Sequence, residues 1–311
     1  MNPNFLEQKP MLLRKHLASS SASEDLQKVL LCLARVSHAI ARSIQTADTG
    51  GAGSTNQFGE QQLAFDILSD NIIQNHLQQC GVVAQCASEE QDDFVTLTDT
   101  APYTVVYDPL DGSSLFDVNF TIGSIFGVYQ GKEVLGKSPR DQVAAAYAVY
   151  GPRTLFIFSM GSGVCECSFT EEGEPIVLRK YSPLHGEAKN YSPGNLRAIT
   201  DNAAYRAVIQ DWLERTLTLR YSGCMVADIH HLLVKGQGVF ANVGGNTYPN
   251  GKLRILYECG PFAYLVEQLG GSASTGEKSI LDVTITSIDQ RTPIIAGSKS
   301  EVERVCGKLK G

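Results

Sequence analysis

The sequence predicts an α/β fold in which helices and sheets form stacked layers. In some segments apolar residues recur at three- and four-residue steps, as Leu26, Val29 and Leu33 do, and this spacing is typical of amphipathic helices. Other segments are short runs rich in β-branched and aromatic residues, which is typical of strands. Because the two kinds of segment alternate along most of the 311 residues, we expect layers of helices packed on sheets, with a seam near residue 190.

The helices are predicted from the three- and four-residue spacing of apolar side chains. The segment 140–150 is included because it is rich in small residues, alanine above all, and alanine favours helices. The predicted helices cover residues 24–46, 60–77, 140–150, 203–215, 227–235, 260–269 and 298–308.

The strands are predicted from short apolar or alternating runs that end at turn-forming residues. The run 164–169 alternates and is followed by an acidic, glycine-containing turn at 171–174, which indicates a hairpin. The glycine-rich segment 49–54 predicts a loop. The predicted strands cover residues 82–84, 103–107, 123–129, 154–158, 164–169, 176–178, 238–241, 253–257 and 294–296.

Composition and charge exclude several classes of protein. The chain is 43% hydrophobic and 19% charged, which is ordinary for a globular protein and argues against a fibrous or disordered one. Its net charge of -7 argues against nucleic acid as a partner, although a local basic pocket for a small phosphorylated ligand is compatible with it. No apolar stretch approaches the length of a membrane span, so we expect no membrane partner.

The cysteines and the N-terminal segment indicate in which cellular compartment we expect the protein. Eight cysteines are dispersed without a C-x-x-C pair, which indicates reduced thiols rather than a disulfide framework. No hydrophobic run of signal-peptide length begins the sequence, so we expect a cytoplasmic protein, or a plastid or other organelle protein if a targeting segment was removed. The polar residues 1–24 are interpreted as a loosely held arm, followed by two α/β halves, 25–190 and 191–311.

One short motif, Asp108-Pro109-Leu110-Asp111-Gly112-Ser113-Ser114, follows a predicted strand directly. Its two carboxylates and the carbonyl between them are hard oxygen ligands that suit Mg²⁺ or Mn²⁺. The glycine allows successive backbone N–H groups to approach an anion such as phosphate. Taken alone, such a motif more often forms a surface turn in which the aspartates cap the backbone.

Further acidic residues fall at the ends of predicted strands and helices. If these carboxylates clustered they would need divalent cations, because neighbouring carboxylates cannot all ionise without neutralising charge. A site with several metal ions suits phosphoryl transfer. The acids in question are Glu60, Asp66, Glu89, Glu90, Asp108, Asp111 and Glu258.

Several motifs in order resemble those of the fructose-1,6-bisphosphatase and sedoheptulose-1,7-bisphosphatase family. They are Ser88-Glu89-Glu90, the 108–114 motif, the run 252–259, and Gly270-Gly271, and the match extends from about residue 25 to the C-terminus. The runs 140–146, 150–154 and 191–197, together with Arg220-Tyr221 before Gly223, resemble the sedoheptulose branch more closely. The resemblance implies the sugar-phosphatase fold, with α/β/α/β/α layers, and two or three Mg²⁺ ions per site, for which Mn²⁺ is a possible substitute.

The resemblance also implies a role for each matching residue. Metal ligands would be Glu89, Glu90, Asp108, the Leu110 carbonyl, Asp111 and Glu258. Glu60 and Asp66, with Glu90, would activate the attacking water, although many relatives have Asp at the position of Glu60. Gly112, Ser113, Ser114 and Arg254 would bind the phosphate that is cleaved, and Asn195, Arg220, Tyr221 and Lys252 the distal phosphate and sugar. In relatives the arginine reaches across from a neighbouring subunit, so a homodimer or homotetramer is implied.

Some positions depart from the patterns of relatives. Plastid sedoheptulose bisphosphatases carry a redox cysteine pair where this chain has Thr49 and Ser54, so that switch should be absent. Pro102 and Gln130 stand where fructose bisphosphatases place basic residues that bind AMP. Asn242 stands where the fructose enzymes often have a substrate-contacting tyrosine, and the smaller side chain makes room for a seven-carbon sugar.

The expected function is therefore Mg²⁺-dependent hydrolysis of the C1 phosphate of sedoheptulose 1,7-bisphosphate, in the Calvin cycle or the pentose phosphate pathway. An alternative is a fructose-1,6-bisphosphatase or an enzyme that accepts both sugars. An alternative of another class is a non-catalytic protein on the same fold that senses metal or metabolite. The retention of the whole acidic set argues against this last alternative.

Overall fold

The computed structural model describes residues 4–6, 9–45, 51–55 and 61–310. None of the helices in these ranges combines the length and the apolar character needed to cross a membrane. The α-helices are α1 (Leu13–Ala18), α2 (Glu24–Ile44), α3 (Ala64–Cys80), α4 (Ala203–Glu214), α5 (Met225–Lys235), α6 (Gly260–Glu267) and α7 (Lys299–Leu309).

The strands form two main sheets and two small ones. They are β1 (Phe5–Leu6), β2 (Met11–Leu12), β3 (Gly51–Thr55), β4 (Gln61–Leu63), β5 (Val83–Ser88), β6 (Val95–Thr96), β7 (Tyr103–Asp111), β8 (Ile122–Gln130), β9 (Gln142–Tyr150), β10 (Thr154–Ser159), β11 (Cys165–Phe169), β12 (Pro175–Tyr181), β13 (Asn190–Gly194), β14 (Thr218–Leu219), β15 (Val239–Asn242), β16 (Leu253–Arg254), β17 (Ser272–Ser274), β18 (Arg291–Thr292) and β19 (Ile294–Gly297). The larger sheet has the order β1-β12-β11-β10-β9-β8-β7-β5-β6, with β2 also paired to β12, and the smaller has the order β14-β13-β15-β19-β17. The pairs β16-β18 and β3-β4 are separate.

The two main sheets and the helices stack as five layers. Helices α2 and α3 share an apolar cluster with one face of the larger sheet. Helices α5 and α6 pack between the other face of that sheet and one face of the smaller sheet. Helices α4 and α7 cover the remaining face of the smaller sheet. This α/β/α/β/α order confirms the layered fold expected from the sequence.

Most of the segment 140–150, predicted to be helical, is strand β9 (Gln142–Tyr150) at the centre of the larger sheet, and its first two residues end a short 3-10 helix, Pro139–Asp141. The strand pairs antiparallel with β8 and with β10. Ala146 and its alternate neighbours face the α2 cluster, whereas Tyr147 and Val149 face the α5–α6 cluster. Since both faces are buried, the strand shows no alternation of polar and apolar residues, and its alanines gave a misleading helical signal because packing overrides intrinsic propensity.

The predicted strand 253–257 is also wrong beyond its first two residues. Only Leu253–Arg254 is extended, as β16, and Ile255–Cys259 forms a π-helical turn that leads into α6. The carboxylate of Glu258 accepts the backbone N–H of Arg254 at 2.6 Å, which satisfies a donor at the start of this turn. The turn thus places Glu258 inside the protein.

The glycine-rich segment predicted as a loop is a strand over the part that the structure describes. Residues 51–55 form β3, which pairs antiparallel with β4. Backbone pairing with β4 therefore overrides the turn preference of the glycines. Thr49 lies outside the described residues.

Enlarging a buried alanine of β9 should destabilise the fold. Ala146 is fully buried in the cluster shared with α2. The substitution Ala146→Leu forces three additional carbon atoms into a packed layer, so we expect the free energy of unfolding to fall by about 1–3 kcal/mol. Urea unfolding measures this change. Ala207→Leu on the exposed face of α4 is the matched control, with an expected change within about 0.5 kcal/mol. Equal effects of the two substitutions would contradict the packing argument.

Candidate active site

The predicted site residues converge where strands β5 and β7 end. The two strands are parallel neighbours, with Ser88 in register with Tyr107. Because the carboxyl ends of parallel neighbours meet at one edge, Glu89 and Glu90 emerge beside Asp108. A cavity of about 450 Å³ opens there. Of the residues predicted for metal binding, catalysis and the phosphate to be cleaved, its wall includes Asp66, Glu89, Glu90, Asp108, Leu110, Asp111, Gly112, Ser113, Ser114, Arg254 and Glu258.

Three carboxylates lie close together in the wall of this cavity. One oxygen from each of Glu89, Asp108 and Glu258 lies within 4.8 Å of the other two. Burial raises the pKa of Asp108 well above its ordinary value, and the neighbouring Glu89 and Glu258 charges raise it further. Burial likewise raises the pKa of Glu258, and repulsion from the Glu89 charge raises it further. Such a set needs positive charge to remain ionised, and three hard oxygen donors at this spacing fit a divalent cation.

Part of that positive charge comes from the protein itself. The guanidinium of Arg254 forms an ion pair with Glu89, and its side chain is only 1% exposed. The backbone N–H of Arg254 donates a hydrogen bond to the Glu258 carboxylate. Arg254 therefore connects two of the three carboxylates, but a single guanidinium charge does not neutralise three of them.

Asp111 lies in the same cavity but outside this group of three. Its Oδ2 accepts the N–H of Val226 at 2.6 Å and the thiol of Cys224 at 3.0 Å, at the N-terminus of helix α5. Burial raises the pKa of Asp111, whereas the hydrogen bonds from Cys224 and Val226 lower it. The contact ties the end of β7 to α5, which packs between the two main sheets.

The turn after Asp111 requires glycine. Gly112 has φ of 79°, in the left-handed region, and begins a short 3-10 helix at Ser113–Leu115. An added Cβ atom would lie 2.7 Å from the Cβ of Cys224. The close approach of this turn to α5 thus presents Ser113 and Ser114 to the cavity.

Of the three residues predicted to activate water, the structure places two in the wall of the first cavity. Asp66, in the first turn of α3, is buried and lines the cavity. Glu90 lines it as well, and its backbone N–H donates to the Ser88 hydroxyl at 3.2 Å. Glu60 lies outside the described residues, so its role stays a prediction.

A second cavity of about 390 Å³ adjoins the first. Its wall includes Asn195, Tyr221 and Lys252, three of the four residues predicted for the distal phosphate and sugar. The fourth, Arg220, lines neither cavity: its guanidinium is exposed and donates to the Leu219 carbonyl at 2.8 Å. The two cavities share the wall residues Asp111, Gly223, Tyr248, Lys252 and Leu253, so they lie side by side.

Sequence reasoning missed several residues of these walls. Arg197 lines the second cavity and Arg291 the first, and Tyr248 lines both. Arg197 falls in the run 191–197 that indicated the sedoheptulose branch, which was an available signal. Tyr248 and Arg291 belong to no recognised motif, and only the folding of the chain brings them to the site.

A larger cavity lies elsewhere in the molecule. It has a volume of about 720 Å³ and lies between the end of α2, the segment after the 113–115 turn and the β9–β10 turn. Phe116, Phe120 and Ile44 line it, with Asp117 as the one acid in its wall among the described residues. It lacks a group of convergent carboxylates, so the chemistry of the smaller cavity identifies the candidate active site.

Comparison with solved structures shows that the chain has the fold of sugar bisphosphatases, and this defines its class. The putative sedoheptulose-1,7 bisphosphatase from Toxoplasma gondii matches with a TM-score of 0.91 and 31% identity, covering 96% of this chain and 98% of that one. Fructose-1,6-bisphosphatase from Leishmania major matches with a TM-score of 0.90 and 28% identity, covering 97% of this chain and 99% of that one. Both matches span nearly the whole chain.

Family models and curated relatives make the assignment specific. The models of the fructose-1-6-bisphosphatase N-terminal and C-terminal domains match residues 9–180 and 184–310. The chain belongs to the fructose-1,6-bisphosphatase family, as its motifs predicted. A class 1 fructose-1,6-bisphosphatase of Pelobacter propionicus is 42% identical, with 93% of this chain and 90% of the relative covered. The chloroplastic sedoheptulose-1,7-bisphosphatase of Triticum aestivum is 38% identical, with 96% and 77% covered.

Removing one buried charge from the carboxylate group should stabilise the metal-free protein. Asp108→Asn retains an oxygen that can accept the Leu110 N–H, now bonded at 2.8 Å, but it removes the charge repelled by Glu89 and Glu258. In EDTA at neutral pH we expect the free energy of unfolding to rise by about 1 kcal/mol or more, since one pKa unit corresponds to about 1.4 kcal/mol. The gain should shrink as the pH falls, because protonation of Asp108 removes the same charge.

Thermal unfolding in EDTA measures this gain. The exposed Asp117→Asn is the matched control, with little change expected. Destabilisation of the metal-free protein by Asp108→Asn would show that the three carboxylates do not repel one another.

Gly112→Ala should destabilise the protein more than Gly131→Ala does. Both glycines have φ near 80°, so both substitutions carry the same backbone strain, but an added Cβ at Gly131 meets no atom within 4 Å. We expect the clash with Cys224 to cost about 1–3 kcal/mol more in free energy of unfolding. Chemical denaturation compares the two variants, and equal costs would argue against the close approach of the turn to α5.

Proposed function

We propose that this chain is a divalent-metal-dependent hydrolase that removes the C1 phosphate of sedoheptulose 1,7-bisphosphate. The observation that carries the proposal is the pair of adjoining cavities, one of them acidic, that share Lys252 in their walls. A sugar with a phosphate at each end suits such a pair, because the two phosphates can bind at separate positions. Family membership supports the reaction, and the relatives from wheat and Toxoplasma gondii named for sedoheptulose support the substrate.

The metal site would be built on Glu89, Asp108 and Glu258. Glu90, Asp111 and the carbonyl of Leu110 lie in the same wall and would complete the coordination of two or three ions. Mg²⁺ or Mn²⁺ suits oxygen donors of this type. A bound divalent ion supplies Lewis acidity, which polarises the phosphate ester and makes water at the site more acidic.

The remaining residues of the first cavity would bind the phosphate and handle the proton. Ser113 and Ser114 would donate hydrogen bonds to the phosphate, with the Arg254 guanidinium as countercharge. Asp66 and Glu90 would accept the proton of the attacking water, and Glu60 is proposed for the same task from the sequence alone. Both described acids lie in the wall of the cavity that holds the carboxylates, as this task requires.

The second cavity would hold the far end of the substrate. Lys252 would contribute positive charge from the wall shared with the first cavity, and Asn195 and Tyr221 hydrogen bonds. Arg197, which the sequence did not assign, lines this cavity and supplies a second cation. The exposed guanidinium of Arg220 is proposed to serve the site of a neighbouring copy in a homodimer or homotetramer.

Fructose 1,6-bisphosphate is the second candidate substrate. Seven similar curated relatives bear the name fructose-1,6-bisphosphatase class 1, at 40–42% identity. Asn242 favours the longer sugar, because it lines the second cavity with a short amide. An addition of one carbon unit to a substrate changes discrimination by about tenfold or more in a fitted pocket, so kinetics can separate the two sugars.

Side-by-side kinetics test the proposal. With Mg²⁺ we expect kcat/KM for sedoheptulose 1,7-bisphosphate to exceed that for fructose 1,6-bisphosphate by about tenfold, and we expect EDTA to abolish phosphate release from both. Asp111→Asn should lose activity on both sugars while remaining folded, which shows that turnover arises at this site. Equal or faster turnover of the fructose substrate would overturn the sedoheptulose assignment, and activity unchanged in EDTA would overturn the metal-dependent mechanism.

A further inference from the structure

Another buried carboxylate, Asp70, lies beside the acidic cavity without lining it. Its side chain is 2% exposed. One oxygen, Oδ1, accepts the hydroxyl of Tyr107 at 2.8 Å. The other, Oδ2, accepts the amide N–H groups of Gln91 at 2.6 Å and of Gln74 at 2.8 Å. Within the ranges that the structure describes, Asp70 forms no ion pair, and all three partners are neutral donors.

Two of these donors adjoin residues of the carboxylate site. Gln91 directly follows Glu90 in the turn after β5, and Tyr107 directly precedes Asp108 on β7. Asp70 itself lies one helical turn after Asp66 on α3, on the same face of the helix. Its carboxylate therefore bonds the acid-bearing ends of two strands to the helix that carries a third acid. A backbone bond from Glu89 N–H to the Tyr107 carbonyl, at 3.1 Å, joins the two strand ends directly.

We propose that Asp70 is a positioning residue that fixes the relative placement of the metal-binding carboxylates. The inference rests on the metal site of the proposed function. Carboxylates that come from separate segments bind an ion tightly only when their supporting contacts hold them in place, and loss of such contacts typically weakens metal binding by about 10- to 100-fold.

The chemistry of the side chain decides which variant tests the inference. A carboxylate has two acceptor oxygens and can receive all three hydrogen bonds. An asparagine could keep all three contacts, because its oxygen can receive both glutamine amides and its NH₂ group can donate to the Tyr107 hydroxyl, which is also an acceptor. Leucine has the same branching as aspartate but no acceptor, so Asp70→Leu breaks the contacts with Tyr107, Gln91 and Gln74 together.

Gln74 provides an internal control for this inference. It bonds the same oxygen of Asp70 as Gln91 does, but it lies on α3 itself, four residues further on. Removing its amide takes one donor from Asp70 without releasing either strand end. Gln91→Leu and Tyr107→Phe each remove one donor and release one strand end.

The test measures Mn²⁺ binding to the full chain without substrate, from the free-ion signal in electron paramagnetic resonance. We expect Asp70→Leu to raise the dissociation constant about tenfold or more, and Gln91→Leu and Tyr107→Phe to raise it by smaller factors. Gln74→Leu should stay within about twofold of the wild type. The double variant Asp70→Leu/Gln91→Leu should bind Mn²⁺ no more weakly than Asp70→Leu, since both changes break the same contact.

Thermal unfolding of each variant in EDTA separates positioning from general stability. A lower melting temperature of Asp70→Leu with unchanged Mn²⁺ affinity would overturn the inference and leave the proposed function intact. An effect of Gln74→Leu as large as that of Gln91→Leu would also overturn it. If Asp70→Leu does not fold, Gln91→Leu and Tyr107→Phe are each compared with Gln74→Leu, and equal affinities in all three would overturn the inference. A wild-type protein that binds no Mn²⁺ would overturn both this inference and the metal site of the proposed function.

Discussion

The mutual repulsion of buried carboxylates is the constraint on which the rest of the site depends. Glu89, Asp108 and Glu258 present oxygens within 4.8 Å of one another, and Asp108 and Glu258 are buried. Charges brought this close in a poorly solvated place destabilise the metal-free fold, and the raised pKa values of Asp108 and Glu258 express that cost. The protein tolerates the repulsion because hydrogen bonds and one guanidinium hold the carboxylates in place. A site with closely spaced negative charges of this kind favours the binding of a cation.

The layered architecture supplies the rigid support for these charges. Each acid lies at the end of an element that is buried in the layers: Asp108 on β7, Glu258 in the π-helical turn before α6, and Asp66 in the first turn of α3. Asp111 ties the end of β7 to the N-terminus of α5, where the positive end of the helix dipole favours a carboxylate. The acids of the site are thus held by several layers of the fold instead of one loop.

The space proposed for the sugar is formed by a different part of the chain. Asn195 follows β13 and Asn242 ends β15, and both strands belong to the smaller sheet. Lys252 lies at the boundary and lines both cavities. In the proposed function the reaction chemistry and the choice of sugar would therefore be carried by two sheets, so the second could change without disturbing the first.

The sequence by itself determined the class of fold and the family, and it predicted most of the acids that line the first cavity. Short motifs such as Asp108–Ser114 allow this because their residue types and spacing are recognisable without the tertiary structure. It failed at 140–150, since a strand buried on both faces lacks the alternation that would distinguish it from an alanine-rich helix. It also failed at 255–259, where a π-helical turn continues a short strand. Only the tertiary structure decided which acids meet, because Glu89 and Glu258 are far apart in the chain. It alone brought Arg197, Tyr248 and Arg291 to the cavity walls and Asp70 behind them, since such contacts arise from packing between distant segments and leave no local pattern.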